Sequence, residues 1–480
     1  MKTLLLWPAF REEYTKYPPL GIAYLAAVLR ENDFPVEIVD AAGYTDYEEF
    51  EVKLRENRPD ILGISVLSVH YDKALEAARI AKKVLPHIMI VFGGAHPTAL
   101  PELTLKNPEV DIVVFGEGEW KFLDLVLALQ KETGLDRVNG IYYKVDGEII
   151  KTADRELEDN LDLIPFPARD LFSMNEYLRR SPTLPLPYPA TSIIPSRGCY
   201  GNCRFCQPTL RKLFGRKIRY RSPKNVVDEI VHLKEKYSLK GLFFADDEPT
   251  WGKKWMLELC EEICKRQVEI AWICASRVDT VDLELLSAMK RAGCIGVGFG
   301  VESGSQKVLN YYRKGVRVAQ IAPAFELCEQ VGIVARANIM IGAPFETKQD
   351  VQETIQMLEK VRPDLIAISA TTPTVGTDLF ADASEKHLLR KESLSGYDRL
   401  NIDTMKRELS DLEIKQMIGD IVRVYKRGIM KIVINPLDLY RRKHFFYHVF
   451  MHWFTMIRNP SVLMKDISYY LNYAKKERVG

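Results

Sequence analysis

Residues 191–208 read "TSIIPSRGCYGNCRFCQP", a short β-branched apolar run that ends in a loop carrying Cys199, Cys203 and Cys206. Three cysteines within eight residues make a metal site, but a closed zinc site takes four protein ligands, and iron–sulfur cubanes are usually held by four thiolates. No fourth Cys or His follows in the next stretch, so one metal position stays open, as a catalytic metal requires. The same run starts a repeating series. Apolar runs at 241–244, 270–276, 295–301, 334–341 and 365–370 alternate with amphipathic stretches at 226–237, 253–267, 282–293, 318–332 and 350–363. About six strands, each but the last followed by a helix, predict an open (β/α)6 partial barrel over 191–380 rather than a closed eightfold one. The cysteine loop then follows the first barrel strand, on the face where such barrels place their chemistry.

Upstream, "TLLLWPA", "VEIVDA", "DILGISVL", "IMIVFGG" and "DIVVFGEG" alternate with helical stretches. Strands apolar on both faces and separated by helices predict a parallel, doubly wound α/β sheet over 1–130. The stretch "GIYYKVDGEIIKT" is a hairpin turning at Asp146-Gly147, and 153–172 lacks either period, so 131–190 is expected to be a hairpin and surface linker. Residues 381–480 are expected to form a helical C-terminal region. With 480 residues, 47% hydrophobic content and net charge +2, the chain can bury a core and shows no affinity for polyanions, so no nucleic-acid partner is expected. The N-terminal run has no secretory leader pattern, which predicts a cytoplasmic protein. Eight cysteines are too sparse for a disulfide scaffold; Cys260, Cys264, Cys274, Cys294 and Cys328 read as core packing. In the tail "YRRKHFFYHVFMHWFTMIRNP" the apolar run "HFFYHVFMHWFTMI" is too short to span a bilayer and carries three histidines. It suits a core helix, a wall for a large apolar substrate, or a peripheral membrane contact.

The CxxxCxxC spacing after the first barrel strand, with Phe205 before the last cysteine, resembles the radical S-adenosylmethionine (radical SAM) superfamily. The resemblance implies that Cys199, Cys203 and Cys206 hold a [4Fe-4S] cluster whose open iron binds SAM. It also implies roles for the later strand ends. Asp246, Asp247 and Glu248 would accept hydrogen bonds from the SAM ammonium, and Ser276 and Arg277 would hold its carboxylate. Glu302 and Ser303 would reach the ribose, and Asn338, Gly342 and Pro344 would present backbone to the adenine.

Ser65, Val66, Leu67 and Ser68, then Gly93, Gly94, Ala95 and His96, and finally Gly116 and Glu117, resemble the elements that bind cobalamin in Rossmann-like domains. There a small residue and absent side chains admit the nucleotide tail. The loop "PAFREEYTKYPPLG" has no histidine, which implies a base-off, His-off cobalamin; His70 and His96 read as loop or tail-pocket residues. Together the halves resemble the cobalamin-dependent radical SAM enzymes, often called class B radical SAM methyltransferases. The implied cycle methylates cobalamin from one SAM and cleaves a second to a 5′-deoxyadenosyl radical. That radical takes hydrogen from an unactivated carbon, which then receives the methyl group. Other members use the same cofactors for oxidative cyclisation or carbon–carbon coupling of porphyrin-like or lipid substrates. A small-molecule or lipid substrate and a reductant such as flavodoxin or ferredoxin are the partners implied.

Overall fold

The computed structural model describes residues 1–12, 17–178, 186–390 and 404–434, with side chains to 426. The N-terminal unit is a seven-stranded sheet of β1 (Thr3–Trp7), β2 (Val36–Asp40), β3 (Ile61–Ser65), β4 (Met89–Gly93), β5 (Ile112–Val114), β6 (Ile141–Val145) and β7 (Glu148–Lys151), ordered β2-β1-β3-β4-β5-β6-β7. The first five strands are parallel, and β1, β3, β4 and β5 are buried on both faces, which is why they read as continuous apolar runs rather than alternating ones; β2 is the half-exposed edge. Leu5, Val91, Ile112 and Val114 face helices Leu20–Glu31 and Glu119–Gln130. Leu4, Leu6, Leu62, Ile64, Ile90 and Phe92 face helices Glu48–Asn57 and Tyr71–Val84. The hairpin at Asp146-Gly147, with φ of 51° and 86°, joins this sheet as its antiparallel edge.

The segment expected to lie on the surface does more. Leu161, Ile164, Ala168 and Phe172 are buried, and Arg169 donates to Glu229 Oε1 at 2.7 Å and to the Ser192 carbonyl at 2.8 Å. Glu229 also pairs with Arg221, so one carboxylate ties the linker to the barrel.

The second unit begins with β8 (Ala190–Ile193), followed by the two-residue strands β9 (Ser196–Arg197) and β10 (Arg219–Tyr220), which pair antiparallel on either side of the cysteine loop. Then come β11 (Gly241–Phe244), β12 (Ala271–Ser276), β13 (Cys294–Glu302), β14 (Val334–Ile341) and β15 (Leu365–Ala370). With β8 they form a six-stranded, all-parallel sheet in chain order, open between β8 and β15, as the series of runs predicts. Val297, Phe299, Ala335, Ala337 and Ile339 pack outward on the helices. Period two therefore turns Gly298, Gly300, Arg336 and Asn338 into the lumen, above a small floor of Leu186, Ala190, Ile273, Ile295 and Val334.

Helix Asp411–Ile434 packs back on the barrel through Ile414 and Ile421. Cys260, Cys274, Cys294 and Cys328 are buried as expected; Cys264 is exposed, because it sits on the solvent side of helix Lys253–Lys265. Among the described residues no helix is long and apolar enough to cross a membrane. The basic aromatic tail lies outside the described residues.

Candidate functional site

The cysteine loop is held from several sides. The Gly201 N–H donates to Cys199 Sγ at 3.3 Å, and Gln207 Nε2 donates to the Gly201 carbonyl at 3.1 Å. Arg204 donates its backbone N–H to Tyr312 O and Nε to Tyr311 O, while Leu379 and Asp378 donate to the carbonyls of Arg204 and Gln207. A Cβ at Gly201 would stand 3.2 Å from Cys199 Sγ and 3.7 Å from Cys203 Sγ, so the glycine keeps the space between two sulfurs clear. Burial pushes the Cys199 thiol up to about 11 and raises that of Cys203. Both are protonated at neutral pH, and a cationic centre binding here must displace their protons. Among the described residues no three His, Cys, Asp or Glu side chains are grouped tightly enough to hold a single metal ion. Phe205 packs edge-on against Tyr312 at 5.5 Å.

Above β11 lies an acidic shelf. Asp246 Oδ2 accepts from Ser196 Oγ at 2.5 Å, while its Oδ1 is buried without a partner, and burial pushes the carboxyl up to about 8. An orphaned carboxylate oxygen suits an ammonium ligand. Asp247 accepts the Gly198 N–H at 3.2 Å, next to the first cysteine. Glu248 accepts from Thr250 Oγ1 at 2.6 Å, and burial raises it to about 6.

Several residues expected to touch SAM are committed elsewhere. The Arg277 fork is taken by Asp279, with Nε and Nη2 each 2.8 Å from a carboxylate oxygen, and Nη1 donates to Lys314 O. Arg277 is therefore not free to take a carboxylate. Ser276 Oγ bonds Thr250 Oγ1 at 2.7 Å, and Ser303 Oγ bonds Thr354 Oγ1 at 3.2 Å and accepts from Ser305 N, because both side chains face neighbouring loops or helices rather than the barrel mouth. The Gly342 carbonyl accepts Arg407 Nε at 2.8 Å and the Pro344 carbonyl accepts Glu408 N at 2.9 Å, so residues near the C-terminal helix cover that strand end. Glu302, at φ 64°, is paired with buried Lys314 at 2.8 Å. Sequence reasoning missed Lys314, which faces Cys203, and Arg407, since neither belongs to a strand-end motif.

In the N-terminal unit a cavity of about 210 Å³ opens where the strand order reverses, at β1 and β3. Ser65, Gly93, Gly94, Gly116 and Glu117 line it together with Leu5, Gly21, Gly63 and Phe122. Gly94 is required there: its φ is +96°, and a Cβ would meet Val66 N and O at 3.1 Å. A polar serine, bare backbone and apolar walls fit the tail of cobalamin. Val66, Leu67, Ser68, Ala95 and His96 do not line it, because the chain has turned behind the strand ends.

His96 is fully buried, stacks on Tyr71 at 4.0 Å and has Nδ1 3.0 Å from Ser68 Oγ. Burial holds it down to about 4. A base with a depressed folded pKa stabilises the fold above its unfolded value near 6.5 and loses that contribution as pH falls toward 4. Denaturation curves between these pH values should show wild type losing up to about 3 kcal/mol more than His96→Gln; parallel curves would refute this.

The cavity also has a second wall. Ile194, Ser196, Arg197, Phe214, Ala245 and Asp247 of the barrel line it. Glu117 receives Arg197 Nη1 at 3.1 Å and Arg219 Nη1 and Nη2 at 2.9 and 2.6 Å, and Glu119 receives Arg197 Nη2 at 2.7 Å. All four side chains are buried. Glu117 therefore works as a clamp between the domains, fastened to strands on both sides of the cysteine loop.

Residues 9–126 match the B12 binding domain family and residues 193–358 the radical SAM superfamily. The chain is 35% identical over 396 residues to the uncharacterized methyltransferase PH0819 of Pyrococcus horikoshii, covering 81% of this chain and 84% of that one. It is 30% identical over 445 residues to the anaerobic magnesium-protoporphyrin IX monomethyl ester cyclase of Rubrivivax gelatinosus, covering 90% and 78%. Its fold is similar to that of the radical SAM methyltransferase TsrM of Kitasatospora setae, with a TM-score of 0.71 at 16% identity over 92% of this chain and 90% of that one.

Proposed function

Because the chain belongs to the cobalamin-dependent radical SAM enzymes, we propose that it transfers a methyl group to an unactivated carbon of a small molecule held between its two domains. The observation behind this reading is that the cavity suited to cobalamin opens between the domains, with Ser65, Gly93 and Gly94 on one wall and Ser196, Arg197 and Asp247, beside the cysteine loop, on the other. When bound, the [4Fe-4S] cluster, SAM and cobalamin supply one-electron reduction, a radical source and a methyl carrier.

The chain's own residues hold and position. Cys199, Cys203 and Cys206 are the cluster ligands, and Gln207 fixes their loop through Gly201. Asp246 Oδ1 takes the SAM ammonium, a role that requires the carboxyl to give up its proton. Asn338 and the Glu302–Lys314 pair border the space above the lumen. The apolar walls around Gly63 and Phe122 exclude water from the cobalamin side. A flavodoxin or ferredoxin delivers the electrons.

The relative from R. gelatinosus, named a cyclase, supports a second reading in which the same cofactors drive oxidative ring formation. Anaerobic reconstitution with iron, sulfide, cobalamin and SAM, followed by reduction with substrate candidates, separates the two. Methyl transfer releases S-adenosylhomocysteine together with 5′-deoxyadenosine; cyclisation releases 5′-deoxyadenosine alone. A protein that forms neither is not an enzyme of this kind.

A further inference from the structure

We propose that Arg336, standing in the barrel lumen with no partner among the described residues, anchors a carboxylate or phosphate group of the substrate. The inference rests on the methyltransfer reading for the place of the reaction, but its own evidence is local. Arg336 lies on β14 in register with Gly298 of β13 and Leu365 of β15. Its neighbours Ala335 and Ala337 pack outward, so its side chain points inward. Strand β13 presents glycine at the matching inward positions, and a Cβ at Gly298 would stand 3.0 Å from Arg336 Nη2. The guanidinium lies across a glycine that leaves it room.

Nothing described neutralises it. Its Nε is buried without a hydrogen-bond partner, it forms no ion pair among the described residues, and the described group that faces it electrostatically is the Tyr17 phenol. Burial pulls the guanidinium below its ordinary value, yet arginine keeps its proton in proteins, so a half-buried positive charge remains in the lumen. Such a charge is expensive unless an anion completes it. Its planar fork of donors matches the two oxygens of a carboxylate or phosphate.

Tyr17 comes from the loop between β1 and helix Leu20–Glu31, where the sequence lacks a histidine, and it stacks on inward-facing Phe243 of β11 at 5.1 Å. The anchor is thus bounded by both domains. Ile339, paired in register with Glu302 at the barrel mouth, is three residues above Arg336 on the same strand, roughly 10 Å away. The substrate class is therefore a small molecule with an anionic end that reaches from the barrel mouth down to Arg336.

The test uses the holoenzyme, anaerobic, unreduced and saturated with cobalamin and SAM, so that their own anion sites are filled. Titration calorimetry with inorganic phosphate, and separately with acetate, should show binding that Arg336→Gln weakens at least about tenfold and Arg336→Lys weakens less. The probe that binds tighter tells phosphate from carboxylate. Arg336→Gln should melt no lower than wild type without anion, since it removes an uncompensated charge, and its cobalamin absorbance reports that it is folded. The proposal is overturned if wild type binds neither anion, if the Gln variant binds both as wild type does, or if it melts lower. Absence of 5′-deoxyadenosine from reduced wild type would instead sink the enzyme reading and leave the calorimetry to decide on Arg336 alone.

Discussion

Cys203→Ala is expected to lower 5′-deoxyadenosine formation by roughly a thousandfold or more while cobalamin remains bound. Losing even an outer partner of a metal ligand typically costs 10- to 100-fold, and here a proposed ligand itself is lost. Cys203 is buried, faces Lys314 and accepts backbone N–H groups from Cys206 and Gln207 through its carbonyl, so alanine keeps the backbone of the loop and removes only the sulfur. The cavity proposed for cobalamin has no cysteine in its lining and should keep its ligand. Chromatography of the reduced reaction and the cobalamin absorbance of the same sample give both readouts. Cys264→Ala, on an exposed helix face, is the control and should change neither. Product at the wild-type rate from Cys203→Ala would exclude the cysteine loop as the cluster site.

The second large effect is on stability. Glu117→Ala leaves Arg219 buried with no carboxylate, only the Glu158 and Phe214 carbonyls, and Arg197 with Glu119 alone, and removing one member of a buried charge network costs about 3–5 kcal/mol. Denaturant titration measures the loss, and chelator challenge of the reconstituted protein should strip its iron faster, because both flanks of the cysteine loop lose their hold. Replacing charge and partner together, as in Glu117→Leu with Arg219→Met, should recover much of the loss, since a well-packed apolar pair avoids the desolvation of two ions. A Glu117→Ala protein within about 1 kcal/mol of wild type would mean that water reaches the arginines and the clamp is not dry.

These expectations show which parts of the molecule were legible from residue order. Strands such as "LLLW" and "IVVF" were legible because both faces are buried, and the hairpin because Asp146-Gly147 adopts left-handed backbone that few pairs accept. The cysteine spacing and the run of barrel strands carried the domain order. What escaped was pairing at a distance. Glu117 reads as part of a glycine turn, and only the fold brings it to Arg219, 102 positions later. Arg277 was legible as a fork but not as one already filled, although its partner Asp279 stands two residues on. Arg407 closes over Gly342 from 65 residues away. Arg336 sat inside a stretch read only for its apolar period, and Tyr17 inside a loop read only for the histidine it lacks.

The clamp also bears on how the protein is made. Glu117 and Glu119 leave the ribosome about 80 residues before Arg197, and N-terminal domains generally fold first during synthesis. When the cysteines emerge, a finished sheet already offers the carboxylates that grip the strands on either side of them, whereas β11 to β15 have yet to be translated. With the first domain folded first, the strands that flank the cysteine loop dock on a finished sheet while β11 to β15 are still being made.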